Sequence, residues 1–304
     1  LDGPTAATTA LNSEFWLTGP VTGEGLLSKS GEGRLRLSGT NTYSGGTEVK
    51  YGAVDVLGSS ALGTGPVVFN GGHLAGKGDA TAVVPNDVTA MQMVFIGAYA
   101  PLLLTGSWTA SGDVLYSKVS SNELSVAGAM QPSSGSKCRM EIREGSVRFA
   151  SGANALFTHA STRNAIDFSS PANTSVVRRL TIDSGAKVTV RCLYVGYGAT
   201  NTVSVTGGSL TLSGYTGSPY NDALVMGAAG TSPRVSDRFE VTGGSVTAAD
   251  NFWLSLGTDK GLTTLDVSGG AVSLGSVSLG NRDLAVDAFG SQSDVIVRGG
   301  LLEA

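Results

Sequence analysis

Three side chains in one loop of the sequence have types suited to binding a sugar. Tyr215 and Tyr220 lie in the segment between Leu212 and Leu224, and Asp222 follows them. A tyrosine ring offers an apolar face to a pyranose, and a carboxylate accepts hydrogen bonds from its hydroxyls. We therefore predict a ligand-binding shelf at Tyr215, Tyr220 and Asp222. The alternative is a solvated loop with two packed tyrosines.

Acidic residues suited to glycan cleavage are a second possibility, because cleavage needs acids and bases that converge on one bond. The candidates occupy different positions in the repeats described below and form no stacked acidic ladder; they are Asp183, Asp237, Asp266 and Arg238. Asp266 matches the outward positions of Ser204 and Glu240, which indicates an exposed face of mixed charge. The sequence therefore predicts no catalytic residue and a protein that is not an enzyme.

Metal ligation is not predicted either. His73 and His159 have no partner at ligand spacing, and His73 follows a glycine pair, where we expect a surface position. The stretch from Gly71 to Asp79 is superficially similar to a calcium-binding nonapeptide, but Leu74 occupies the position of a required glycine. We expect no metal and no cofactor.

Cys138 and Cys192 are the two cysteines. Each shares parity with apolar neighbours that alternate along a strand, so both are expected to point inward as small apolar fillers. A disulfide between them requires Cα atoms within about 7 Å. The sequence leaves free thiols and a disulfide as open alternatives.

A ten-residue motif recurs and would position these side chains. Residues 203–212, VSVTGGSLTL, hold two apolar pairs around a glycine pair, with an odd step between the pairs. An odd step breaks strand alternation, so the chain must turn or bulge at the glycines to keep both pairs on one core. We interpret it as two short strands folded about the glycines. Further copies are expected at 67–76, 140–149, 239–248, 265–274 and 295–304.

A second motif, a short apolar strand closed by glycine, alternates with the first at 193–196, 224–227, 254–257 and 277–280. The copies of the first motif from Val203 onward start 36, 26 and 30 residues apart. Periods of this size are typical of stacked repeats, and we predict a β-solenoid with coils of about 25 to 35 residues. Ordinary meanders or hairpins are the competing interpretation.

Residues 26–76 carry a specific resemblance. They contain KSGEG (29–33), LRLSG (35–39), NTYSGGT (41–47), Gly52, ALGTG (61–65) and Gly71-Gly72 in that order. This segment resembles the autotransporter-associated β-strand repeat, also called the passenger-associated transport repeat. The resemblance implies an all-β fold, a right-handed parallel β-helix, in a bacterial passenger that is secreted across the outer membrane.

Three regions are predicted. Residues 1–25 are a cap or lead-in in which Trp16 packs, and residues 26–304 are the solenoid. Within it, 26–76 form the named repeat, 77–175 form irregular coils and 176–304 form regular ones. Ala153 to Thr162 is predicted as a short helix or an irregular loop.

Composition limits the partners. Charged residues make up 14%, the net charge is −4, and no basic stripe is present, which argues against nucleic acid. The most apolar run, Met91 to Leu104, is too short and too interrupted to span a bilayer. We expect an extracellular or cell-surface stalk or adhesive scaffold that contacts host or environmental surfaces or glycans. The alternatives are a glycan-binding or glycan-cleaving solenoid and a fibre subunit that associates end to end.

Overall fold

A computed structural model describes residues 1–159, 165–168, 176–196, 200–214, 222–228, 235–248, 253–256, 261–279 and 292–303. The described residues form parallel β-strands and their connections, with no helix. The chain divides into two compact units, Leu1–Cys138 and Arg139–Ala304. Both are β-solenoids, as predicted. The handedness of the coil stays a prediction.

The first unit holds fifteen strands. They are β1 (Thr5–Thr8), β2 (Glu14–Leu17), β3 (Leu27–Ser30), β4 (Arg34–Leu37), β5 (Thr47–Val49), β6 (Ala53–Val56), β7 (Val67–Phe69), β8 (His73–Gly76), β9 (Ala82–Val84), β10 (Val88–Ala90), β11 (Val94–Ala98), β12 (Leu102–Leu104), β13 (Trp108–Ala110), β14 (Asp113–Val126) and β15 (Ala129–Pro132).

Each coil of the first unit is shorter than predicted. In one column, β1, β3, β5, β7, β10, β13 and β15 pair in that order, and their partner residues are 20 to 22 positions apart. In the next column, β2, β4, β6, β8, β11 and β14 pair in the same way. The prediction of 25 to 35 residues is wrong for this unit, because its corners are tighter than the spacing of the later motifs suggested.

Buried polar side chains close these tight corners. Asn41 accepts a hydrogen bond from the Val21 amide at 2.8 Å and donates to the Ala61 carbonyl at 2.6 Å, which joins the coils before and after its own. The Tyr43 hydroxyl lies 2.6 Å from the hydroxyl of Thr47, and burial raises the pKa of Tyr43 to about 12. Backbone groups that the corner removes from water are therefore satisfied by side chains.

Lys29 has a similar role. Its side chain is fully buried, and its Nζ donates to the carbonyls of Ser30 (2.7 Å), Gly31 (2.7 Å) and Tyr51 (3.1 Å). Burial lowers the pKa of the Lys29 ammonium. An ammonium group has three donors, and here all three meet carbonyl oxygens. This lysine is a structural clamp between neighbouring coils.

The second unit contains most of β16 (Lys137–Phe149) and the strands that follow. They are β17 (Asn154–Phe157), β18 (Ile166–Asp167), β19 (Val177–Ile182), β20 (Lys187–Val190), β21 (Leu193–Gly196), β22 (Thr200–Leu212), β23 (Asp222–Ala228), β24 (Val235–Ala248), β25 (Trp253–Leu256), β26 (Gly261–Ser273), β27 (Ser276–Leu279), β28 (Gln292–Val297) and β29 (Leu301–Glu303).

The repeated motifs of the second unit stack in register. One row runs through Leu180, Val203, Phe239, Leu265 and Val295, of which the first four are buried and Val295 is half-buried. The second motif forms its own column, in which Leu193 pairs with Leu224 and Leu224 with Leu254. Both stacks confirm the solenoid interpretation and the assignment of apolar side chains to the core.

One predicted copy of the first motif is wrong. In β16, Met140 pairs with Ile166, which continues to Leu193 of the second motif, whereas Val147 pairs with Leu180 of the first. Residues 140–149 therefore run through two columns. The same alternation of apolar and polar residues serves either column, so the pattern alone did not separate them.

In β22, β24 and β26 the glycine pair is a bulge within one continuous strand, so the interpretation as two separate strands is wrong there. At 67–76 and 295–304 the glycines separate two strands, as predicted. β24 continues through Gly243-Gly244, with register shifts on both sides of the pair, and Gly244 has φ +78°. A bulge changes side-chain parity without ending the strand. Both apolar pairs consequently face the core, as the odd step required.

Substituting Gly244 tests the bulge. A methyl group there would collide with the Gly208 carbonyl oxygen on the preceding coil, and the positive φ disfavours any side chain. We expect Gly244→Ala to lower the free energy of unfolding by about 2 kcal/mol in urea denaturation. The exposed Thr247→Ala is the control, with a change under about 0.5 kcal/mol. Equal stability of the two variants would contradict the bulge.

The remaining sequence predictions have mixed outcomes. Residues 154–157 form strand β17, so the part of Ala153 to Thr162 that the structure describes is not helical. Cys138 and Cys192 are both buried thiols, and the structure does not join them in a disulfide. In the described part of the chain, no helix has the length and apolar character needed to cross a membrane.

Candidate functional site

The predicted ligand-binding shelf is not tested by the structure. Tyr215 and Tyr220 lie outside the described residues. Asp222 begins strand β23, and its backbone pairs with Trp253 of β25. The shelf therefore stays a prediction.

The acidic candidates for catalysis are held by neighbouring side chains. Asp183 accepts hydrogen bonds from Arg148 at 2.6 Å and from Thr206 at 3.0 Å. Asp266 pairs with Arg238 at 2.7 Å and with Arg298 at 3.1 Å. Arg238 also pairs with Glu240, which lies opposite Asp266 on the neighbouring coil. Charges of both signs therefore meet here, but the prediction of an exposed face is wrong for Asp266, which is buried where it pairs with the two arginines.

Asp237 has a different location, which the sequence analysis missed. It is buried, and its carboxylate accepts a hydrogen bond from Asn201 at 2.7 Å. Asn201 in turn accepts from the buried Arg178, and the three residues occupy one register position on successive coils. Burial lowers the pKa of Arg178. Each of these three residues precedes an inward apolar residue by two positions, so its side chain points to the same side of the strand. This shared parity could have indicated from the sequence that Asp237 is buried.

The surface best suited to binding is in the first unit. We call it the arginine–aromatic face and define it as Glu14, Trp16, Arg34, Arg36, Asp55, Lys77 and Tyr99. Strands β2, β4 and β6 place the first five on their outward side, because Leu35, Leu37, Val54 and Val56 point into the core. Lys77 and Tyr99 follow β8 and β11 directly.

Trp16 is an exposed ring held in one orientation. It is 53% exposed, and the Arg36 guanidinium carbon lies 4.4 Å from its ring centre. Its indole Nε1 donates to Glu14 at 3.3 Å, and Arg36 donates to the same carboxylate at 2.5 Å. A cation on a ring face and a hydrogen bond at the ring edge both limit rotation. The indole is therefore preorganised for a contact with a ligand.

Asp55 holds the two arginines. Its carboxylate is fully buried and accepts from Arg34 at 2.5 and 3.0 Å and from Arg36 at 3.2 Å. Hydrogen bonding to Asp55 is the largest cause of a raised pKa at Arg34. Bidentate pairing of guanidinium with carboxylate fixes geometry as well as charge. Asp55 is thus the anchor beneath the arginine–aromatic face.

Tyr99 is the second exposed ring of the face. It is 66% exposed, the Lys77 Nζ lies 3.8 Å from its ring centre, and the Arg34 guanidinium carbon lies 5.8 Å from it. The two rings are on the same column of strands, since Trp16 lies on β2 and Tyr99 follows β11, which is four coils further on.

A cleft adjoins the Trp16 end of this face. It has a volume of about 310 Å³, and the residues that line it include Leu11, Asn12, Ser13, Glu14, Glu32 and Arg34. Its lining is mostly polar, with Leu11 as the one large apolar side chain among the residues named. Glu14 and Arg34 belong to both the cleft and the face.

His73 lies beside this face and is not the surface histidine that we predicted. Its ring packs edge-on against Phe95, with 6.5 Å between ring centres, and its Nε2 is buried without a hydrogen-bond partner in the described part of the chain. Burial, followed by the nearby Arg34, lowers the pKa of His73 to about 4. His73 is therefore neutral at pH 7. Among the described residues, no group of His, Cys, Asp and Glu is arranged to hold a metal ion.

The low pKa of His73 predicts acid sensitivity. Unfolding returns the imidazole to its ordinary pKa of 6.5, so protonation favours the unfolded chain. The contribution of neutral His73 to the free energy of unfolding is therefore fully present above pH 6.5 and is lost as the pH decreases towards 4. We expect the resulting loss in the free energy of unfolding to be on the order of 3 kcal/mol.

This effect is measured by urea denaturation at several pH values. His73→Phe retains a ring against Phe95 and removes the titrating group, so its stability should fall less between pH 6.5 and pH 4 than that of the parent protein. The same pH dependence in both proteins would argue against the assignment.

Trp16 and Tyr99 are the functional candidates that sequence analysis missed, since Trp16 was assigned to packing in a cap. The sequence pattern that would identify these two residues as neighbours can be recognised only when the coil length is known. With coils of about 20 residues, Trp16, Arg36 and Asp55 fall on one outward row. Without that length, the sequence does not show that these positions are neighbours.

Comparisons with known proteins bear on the same strands. The family model described as passenger-associated-transport-repeat matches residues 27–56, which hold β3 to β6 and the corners closed by Lys29, Asn41 and Tyr43. This match supports the resemblance found in the sequence. The matched residues include the corner side chains, so the match is evidence for the solenoid scaffold more than for a binding site.

One relative is the adhesin BmaC autotransporter of Brucella suis biovar 1 (strain 1330). It is 32% identical over 129 residues, which cover 42% of this chain and 4% of the adhesin. The alignment thus spans a small part of that relative's length. No solved structure matches the chain.

Proposed function

We propose that the chain is a non-catalytic, surface-exposed β-helical segment that takes part in adhesion, because it contains a passenger-associated transport repeat and is similar to an autotransporter adhesin. The observation that carries the proposal is the repeat at residues 27–56, folded as two coils of a parallel solenoid. A solenoid of this kind presents long flat flanks, which suit contact with extended surfaces.

The location follows from the same similarity. A passenger segment is expected on the bacterial cell surface or outside the cell, in contact with host or environmental surfaces. The low charge content and the absence of a basic stripe agree with a polar, uncharged exterior of this kind. The non-enzymatic role is supported by the acids themselves, because Asp183 and Asp266 are bound by arginines and Asp237 is buried.

An attachment assay tests the proposal. Beads coated with the purified 304-residue chain should attach to host epithelial cells and to extracellular matrix more strongly than albumin-coated beads. Beads coated with the unfolded chain are the control for non-specific adhesion. Equal attachment of all three would remove the adhesive role and leave a spacer.

A second candidate is a solenoid that binds or cleaves glycans. The exposed rings of the arginine–aromatic face favour binding, and the same purified chain incubated with polysaccharides would reveal cleavage through shorter products. Cleavage would overturn the non-catalytic proposal and direct attention to Glu240 and Asp266, which lie opposite each other on neighbouring coils.

A further inference from the structure

We infer that the arginine–aromatic face of the first unit binds a neutral glycan chain laid along the solenoid axis. This inference rests on the proposed adhesive function and names its site and ligand class. The predicted shelf at Tyr215, Tyr220 and Asp222 plays no part in it. Three properties of the face support it: its exposed rings, its charge and its length.

The rings determine the kind of contact. Trp16 and Tyr99 are 53% and 66% exposed, and cations beside both rings restrain them. A ring that is already ordered loses little conformational entropy when a ligand stacks on it. The apolar C–H face of a pyranose is suited to such a ring, whereas its hydroxyls require carboxylate and guanidinium groups at the ring edge. Glu14 is in that position beside Trp16, where it accepts a hydrogen bond from the indole Nε1, and Arg36 lies over one face of the ring.

The charge determines which glycans fit. Arg34, Arg36 and Lys77 contribute three positive charges, and Glu14, Glu32 and Asp55 contribute three negative charges, so the face and its cleft sum to zero. Both arginines are already paired with Asp55, and Arg36 also with Glu14. A sulfated or carboxylated polymer would find no uncompensated positive field here. The ligand class is therefore a neutral glycan.

The length determines the size of the ligand. The row that begins at Trp16 continues through Arg36, Asp55 and Ala75 to Gly97, two residues before Tyr99. Four steps of about 4.8 Å separate the backbones of the two rings by about 19 Å. An extended glycan advances by a similar distance per sugar, so a chain of about four residues reaches from one ring to the other.

The test is binding of the purified 304-residue chain to an array of neutral oligosaccharides (glucose, galactose, mannose and N-acetylglucosamine oligomers) and of matched sialylated and sulfated ones. We expect binding to neutral oligomers of four or more sugars, with little change between 50 and 500 mM salt because no net charge is involved. Trp16→Ala should weaken this binding at least tenfold, and Tyr99→Ala three- to tenfold.

Two further variants separate recognition from folding. Trp16→Phe keeps a ring on the face and should retain most of the affinity that Trp16→Ala loses. Tyr51→Ala removes another exposed tyrosine of the first unit, 57% exposed and outside the face, and should bind like the parent protein. Circular dichroism of each variant confirms that the strands remain.

The outcomes distinguish this inference from the proposed function. Neutral-glycan binding that survives both Trp16→Ala and Tyr99→Ala would overturn the site, and binding restricted to anionic glycans would overturn the ligand class. Attachment of coated beads to purified matrix proteins, with no signal on the array, would overturn the glycan inference and leave adhesion standing. Loss of all bead attachment would contradict the proposed adhesive function, on which the glycan inference rests.

Discussion

Val241→Asp is expected to unfold the central coils of the second unit. Val241 is fully buried, and its neighbours in the inward row are Val205 and Val267 on the adjacent coils. A carboxylate there has no cation in the row, so it must either remain charged without a partner or take up a proton. We expect a loss of at least about 4 kcal/mol in the free energy of unfolding.

The measurement combines urea denaturation with limited proteolysis. In a stacked repeat each coil is stabilised by its neighbours, so the damage should concentrate in the second unit and leave protease-resistant fragments from residues 1–138. Thr247→Asp introduces the same charge at an exposed position of β24 and is the matched control. If both variants unfold at the same urea concentration, the inward row is assigned incorrectly.

Asp55→Ala is expected to destabilise the first unit by about 3 kcal/mol. Asp55 is a fully buried carboxylate that accepts hydrogen bonds from two arginines. Removing one partner of a buried ion pair leaves like charges that lack compensation, and here Arg34 and Arg36 would face each other while Arg36 keeps its ion pair with Glu14. The loss is read from urea denaturation of the variant against the parent protein.

A second substitution separates charge from packing. Asp55→Ala combined with Arg34→Ala removes the excess positive charge, so the double variant should lose less than the sum of the two single variants. Asp79→Ala, which removes an exposed carboxylate of the same unit, should change stability by less than about 0.5 kcal/mol. Strict additivity of Asp55→Ala and Arg34→Ala would show that the pair makes no coupled contribution.

Asp55 also links the stability of the first unit to ligand binding on the arginine–aromatic face. Asp55 holds Arg34 and Arg36 in place, and Arg36 holds Trp16. Conditions that loosen Asp55 without unfolding the coil should therefore weaken binding at Trp16. This coupling places the anchor of the candidate site in the scaffold beneath it.

Local patterns in the amino-acid sequence were sufficient to predict the class of fold and the inward residues. Strand alternation identified Val203, Val205, Leu210 and Leu212 as one buried set, and the repeats predicted a stacked β-solenoid, because a two-residue period and a coil-sized period are both local patterns. The odd step at Gly207-Gly208 correctly required a local break in alternation. That break is a bulge, since backbone pairing with adjacent coils keeps the strand continuous.

Which side chains lie beside each other on adjacent coils became known only from the three-dimensional structure. The sequence did not distinguish the coils of about 20 residues in the first unit from the longer ones of the second, because corner length depends on how Lys29 and Asn41 satisfy backbone groups of adjacent coils. Trp16, Arg36 and Asp55 became one outward row only once that length was known. For the same reason Asp237 belongs to a buried polar row and not to an exposed acidic site. Lateral position in a solenoid is a long-range property, set by register and not by any single stretch of sequence.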